Sequence, residues 1–183
     1  MSRTENTGFA HRLPEHTQAV WRFAFRLSRD ETDSADLVQR TFVRALERQH
    51  RYVDSGQLRS WLFRITHSIW LNELRAKTIR ERHAFTSMET ESIAHTEQDN
   101  GHHGERSILL DQVMQSVECL PEGQRTVVLL ACVEGFSYSE TAEILDIPLG
   151  TVMSRLARAR MTIGKRFIDH TSKPTARNKE REL

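Results

Sequence analysis

In the stretch PLGTVMSRLARAR and the residues that follow it, Thr151, Ser154, Arg155, Arg158, Thr162 and Lys165 recur at spacings of one to four residues. At about 100° per residue, this spacing gathers hydroxyls and cations on one side of a helix. Val152, Leu156, Ala159, Ile163 and Phe167 fall on a second, narrow apolar side. Hydroxyl and guanidinium groups on a short helix can meet phosphate oxygens and base edges, the chemistry of a DNA-reading helix. The plainer alternative is a basic amphipathic surface helix. A second set lies in LRSWLFRITHSIWLNELR, where Arg64, Ser68, Asn72 and Arg75 accompany Trp61, Phe63 and Trp70. Cations beside rings suit a single nucleic-acid strand, whose bases stack and whose phosphates meet arginine. Against that, large rings at helical spacing are more often core.

Other chemistries find no support. The chain has no glycine-rich phosphate loop, no GxSxG, no HExxH and no paired-carboxylate arrangement, so an enzyme with its own catalytic site is not expected. Ser137-Tyr138-Ser139 is explained as a helix start, because Glu140 stands three residues after Ser137 and completes a capping box. Cys119 and Cys132 form no CxxC pair and sit among apolar residues, which reads as two small buried core residues. His83, His95, His102 and His103 occur in a polar stretch without nearby cysteine, so neither a metal nor a cofactor is expected.

The elements that must position these residues are helical throughout. Residues 1–13 read as a mobile tail. From Pro14 to Ser28, Val20, Phe23, Ala24 and Leu27 repeat at helical spacing. Asp33 reads as the N-cap of a second helix with apolar positions Leu37, Val38, Thr41, Phe42, Ala45 and Leu46. Residues 50–57 form a turn tipped by Asp54-Ser55-Gly56, and a third helix runs from Leu58 to Arg75 with apolar residues on most sides, as if clamped between neighbours. Residues 76–107 are polar, carry four basic and six acidic residues, and read as a flexible linker. Further helices follow at Ile108 to Leu120, at Gln124 to Glu134, the most apolar run, and from Ser137 through Leu145. Asp146-Ile147-Pro148 is a short break before the basic helix. Two helices joined by a turn of three to four residues, the second basic, make a helix-turn-helix. The fold class is all-α: two small helical domains joined by a flexible linker, the second ending in the helix-turn-helix. The divisions are a tail at 1–13, a domain at 14–76, a linker at 77–107, a domain at 108–169 and a tail at 170–183.

Composition sharpens the DNA reading once its distribution is considered. The chain has 183 residues and a net charge of only +1. Residues 108–149 hold one basic residue, Arg125, against seven acidic ones, while residues 150–183 hold nine basic against three acidic. A phosphate backbone senses the local potential more than the sum. No apolar run approaches 18 residues and no leader is evident, so no membrane insertion and a cytoplasmic location are expected.

These motifs resemble the extracytoplasmic-function (group 4, sigma-70 family) sigma factors of bacterial RNA polymerase, over residues 14–168. DSADLVQRTFVRAL and LRSWLFRITHSIWLNELR are similar to the two signature helices of sigma region 2; LPEGQRTVVLL, EGFSYSETAEIL and IPLGTVMSRLARAR are similar to region 4. The resemblance implies a promoter-specificity subunit that binds core RNA polymerase and promoter DNA under an anti-sigma factor. Asp36, Leu37, Val38, Gln39 and Phe42 would dock on the polymerase. The loop Asp54 to Arg59, together with Arg64, Ser68, Asn72 and Arg75, would melt and read the −10 element. Thr151, Ser154, Arg155 and Arg158 would read the −35 element. Two departures stand out: Ser68 and Asn72 where the family has Asn and Asp, and Arg40 where an acidic residue is frequent. The rival readings are a sigma mimic that titrates an anti-sigma factor and a helix-turn-helix regulator that works without polymerase.

Overall fold

The computed structural model describes residues 3–53, 56–84 and 105–171. The tip residues Asp54 and Ser55, linker residues 85–104 with His95, His102 and His103, and the tail from 172 onward lie outside the described residues. The described residues are helical with no strand among them. They fall into two compact units, Met1–Asn100 with Ser139–Ile147, and Gly101–Tyr138 with Pro148–Leu183.

In the first unit α1 spans Arg3–Arg12, α2 Thr17–Ser28, α3 Glu31–Glu47 and α4 Leu58–Ala84. The expected tail is therefore helical from residue 3. Phe9 and Leu13 are buried, and the Phe9 ring lies 5.5 Å from Tyr52 and 5.9 Å from Trp61. Those partners are some fifty residues distant in sequence, so local periodicity does not announce them. Helix α2 packs on α3 and α4 through Val20, Phe23, Ala24 and Leu27. Phe23 stacks on Phe63 at 4.8 Å. Between α3 and α4 the buried hydroxyls of Thr41 and Thr66 lie 3.2 Å apart, and each also donates to the carbonyl one turn back, so neither is left unpaired.

Helix α3 starts earlier than the sequence suggests. Asp30, not Asp33, is the N-cap: it is extended (φ −134°), and its Oδ1 accepts from the Asp33 backbone N–H at 2.8 Å. The chain needs only one left-handed residue, Arg29 at φ 61°, to leave α2 and reach that cap. Helix α4 in turn continues to Ala84, beyond the expected end at Arg75, because no glycine or proline interrupts AKTIRERHA.

In the second unit α5 spans Glu105–Glu118, α6 Glu122–Val128, and α8 Leu149–Thr171. Helix α6 widens into a single π turn at Leu129–Val133, where the Glu134 N–H reaches back to the Leu129 carbonyl at 2.9 Å. Gly135, at φ 76°, ends it. Helix α8 packs against α5 and α6, and Val117, Leu120, Val127, Leu129, Leu130, Val152, Leu156 and Ala159 form the core. Both cysteines, expected in that core, are exposed. Cys119 falls just past the last residue of α5, and the π turn breaks the i, i+4 register that would have aligned Cys132 with buried Val128.

Candidate nucleic-acid interface

The turn before α8 is built by backbone chemistry. Helix α7, Tyr138–Leu145, ends with Asp146 in the left-handed region at φ 53°. The Ile147 N–H bonds the Ala142 carbonyl at 3.1 Å and the Asp146 N–H bonds the Glu143 carbonyl at 3.3 Å, the paired closure of a Schellman motif. Aspartate tolerates this conformation better than most residues. Pro148 then lends its carbonyl to the N–H groups of Thr151 (2.8 Å) and Val152 (3.3 Å), and α8 begins. Three residues thus stop one helix and start the next.

Along α8 the buried seam is Val152, Leu156 and Ala159. The side chain of Phe167, expected to prolong it, lies outside the described residues. The side opposite the seam carries Ser154, Ala157, Arg158 and Met161, all exposed. That face is rotated from the one drawn through Thr151, Ser154, Arg155 and Arg158. Thr151 is half-buried at its edge. Arg155 is also half-buried, and its guanidinium lies over Gly123 at the start of α6, where an added Cβ would come within 3.1 Å of Cζ. Arg155 therefore braces α8 on α6 in this conformation, and Arg158 and Ser154 are the open polar groups. Two further exposed residues flank this surface: Arg160, which donates to the Tyr138 hydroxyl at 3.1 Å, and the apolar Met153, 53% exposed; Met161, on the face itself, is 61% exposed. A helical wheel centred on Val152, Leu156 and Ala159 places Met161 opposite the seam and Met153 on its flank; attention to cations alone passes over them.

On α4 the strip Arg64, Ser68, Asn72 and Arg75 is exposed throughout, on one side of the helix. The aromatic residues are divided from it. Phe63 is fully buried and Trp70 nearly so, while half-buried Trp61 packs on Phe9 and Tyr52. They form core, and the open face of α4 is polar. Arg59 is half-buried with its guanidinium 5.1 Å from the Phe63 ring centre, a cation–π arrangement. Burial, with Arg12 and Arg59 also contributing against an opposing effect of Glu15, holds the His16 imidazole below its usual pKa.

On α3 the candidate docking residues separate by helical phase. Asp36 and Gln39 are exposed and Phe42 is half-buried, but Leu37 is fully buried and Val38 nearly so. Leu37 and Val38 support the face from beneath. Its surface continues through Arg40 to Val43, 49% exposed, and Leu46, 41% exposed. Arg40 bonds Asp36 one turn away at 3.2 Å and pairs with Glu73 of α4. Burial raises the Glu73 pKa above 4.5, and Asp36 and Asp33 add to the rise while Arg40 opposes it. The cation at position 40 thus serves to neutralise two acidic neighbours, Asp36 and Glu73. No cluster of three or more His, Cys, Asp or Glu able to hold a metal occurs among the described residues, and no helix there is long and apolar enough to cross a membrane.

Two helical units, the second carrying a basic helix after a three-residue turn, define a two-module protein of nucleic-acid-binding type. The sigma-70 region 2 family model matches residues 14–79, and that of sigma-70 region 4 matches residues 110–163. A probable RNA polymerase sigma-C factor of Mycobacterium bovis is 32% identical over 143 residues, covering 78% of this chain and 74% of its own. The ECF RNA polymerase sigma factor SigE of Mycolicibacterium smegmatis is 31% identical over 159 residues; this covers 86% of the present chain, which spans 61% of that relative's length. The sigma factor RpoE of Bartonella quintana, solved in complex with the anti-sigma factor NepR, superposes with a TM-score of 0.70 at 28% identity, covering 88% of this chain and 97% of that one. The chain belongs to the sigma-70 family of RNA polymerase sigma factors, in its extracytoplasmic-function branch.

Proposed function

We propose that the chain directs core RNA polymerase to a set of promoters, docking through α3 and reading DNA with α4 and α8. The observation that carries this reading is that both sigma modules occur in order on one chain, each with an exposed polar strip on its reading helix. In α8, Ser154 and Arg158 contact the −35 duplex, Arg158 through its phosphates, Thr151 helps to hold the backbone, and Arg155 joins them on leaving Gly123. In α4, Arg64, Ser68, Asn72 and Arg75 take the melted −10 strand, with Arg59 at the start of the helix. Asp36, Gln39, Phe42 and Val43 make the polymerase contact, on a base formed by Leu37 and Val38. The protein has no catalytic site of its own and acts in the cytoplasm, where the polymerase is. An anti-sigma factor controls it, as the complex of the Bartonella quintana relative suggests.

In vitro transcription with purified core polymerase on a promoter library tests this reading. Specific transcripts are expected. Core binding without initiation would instead identify a sigma mimic, and promoter binding without core binding a free-standing regulator.

A further inference from the structure

Met153 stands in the first turns of α8, next to Ser154 and on the open side of the helix, with 53% of its surface exposed. Scattered apolar residues on a surface are ordinary. Here the surroundings are not: the exposed Ser154 follows it directly, and α8, residues 149–171, holds five basic residues against one acidic. That charge complements a phosphate backbone far better than an apolar protein surface. The N-terminal residues of a recognition helix are those that reach base edges. In the major groove, the apolar group that marks one base is the C5-methyl of thymine. A thioether chain is unbranched and polarisable, so it can settle on a methyl group without demanding one fixed geometry. Met161, eight residues on, is displaced by about 12 Å along the axis, and so is poorly placed to share the same base step.

We infer that Met153 is a specificity-determining residue that packs on the C5-methyl of a thymine in the −35 duplex. The inference rests on the reading of α8 as the −35 helix and adds to it a discrimination that no hydrogen bond provides. It separates readout from attraction. Arg158 contributes salt-dependent affinity, and Met153 contributes preference without salt dependence.

The test uses holoenzyme assembled from the full chain and core polymerase, on a promoter taken from the library. Each thymine of the −35 duplex is replaced in turn by deoxyuridine, which lacks only the methyl group, and binding is measured over a range of salt. One position is expected to lose about fourfold in affinity, the worth of one buried methyl group. Met153→Ala should bind thymine and deoxyuridine equally at that position, with an unchanged salt slope and unchanged core affinity. Arg158→Ala should bind more weakly on every sequence and keep the thymine preference. The inference is overturned if no thymine position responds, if Met153→Ala keeps the preference, or if its loss is one of core affinity. Should binding not depend on −35 sequence at all, the reading of α8 fails first and the inference with it.

Discussion

Arg155 and Arg158 lie three residues apart on one helix yet have different surroundings. Arg155 rests on Gly123, and Arg158 is open to solvent. An arginine stem that packs contributes to stability as well as to charge. Arg155→Ala is therefore expected to lower the melting temperature of the free protein, at a cost of about 1 kcal/mol, as well as −35 affinity. Arg158→Ala should leave melting unchanged and reduce the log–log salt slope of DNA binding by about 1. Differential scanning fluorimetry and salt titration would separate the two, and equal melting losses would contradict the assignment. Glu73 gives a second residue-scale test. Its pKa in the folded protein is raised, so the folded state binds the proton more tightly than the unfolded chain does. That contribution to stability is complete below pH 4.5 and is lost as pH rises through the folded value. In Glu73→Gln this fall on the alkaline side of pH 4.5 should be absent from a melting-temperature profile. An unaltered profile would show that burial at Glu73 is offset fully by Arg40.

Helices in this chain begin and end through few residues, and those residues differ in how openly the sequence shows them. Pro148 and Gly135 are visible punctuation. The Asp30 cap and the left-handed Arg29 and Asp146 are not, because none is a glycine and two acidic candidates, Asp30 and Asp33, compete for one cap. Helix α7 holds a cost of its own: the Thr141 side chain is fully buried, and its hydroxyl finds no partner among the described residues. A buried hydroxyl without a hydrogen bond is destabilising, and valine has the same shape without it. Thr141→Val should raise stability by about 1 kcal/mol, measured by chemical denaturation. A loss of stability instead would mean that the hydroxyl is satisfied. The candidate site shows the same unevenness. The exposed strip Arg64, Ser68, Asn72 and Arg75 follows from helical phase alone, whereas the half-buried position of Arg155 depends on what α6 places beneath it.

Taken whole, the protein carries a net charge of +1, with a local excess of positive charge in residues 150–183 balanced by an excess of negative charge in residues 108–149. Non-specific DNA affinity follows the number of phosphates neutralised and falls steeply with salt. The free chain is therefore expected to bind unrelated duplex weakly near physiological ionic strength and measurably in low salt, by fluorescence anisotropy. Tight binding that ignores salt would contradict the charge layout.

By itself the sequence determined the all-α class and the apolar seams, because hydrophobic periodicity and turn residues act over a few residues; the order of the two sigma modules came from the resemblance of its motifs to regions 2 and 4. Tertiary structure alone decided matters that depend on distant partners. Phe9 found Tyr52 and Trp61, which turned an apparent tail into a packed helix. The π turn and the end of α5 put Cys132 and Cys119 on the surface. The packing of α8 on α6 set its rotation, and with it which side chains face outward: Met153 and Arg158 are open, and Arg155 is held against Gly123. Helical spacing establishes which residues share a face, but only the neighbour that buries the opposite face decides where it points.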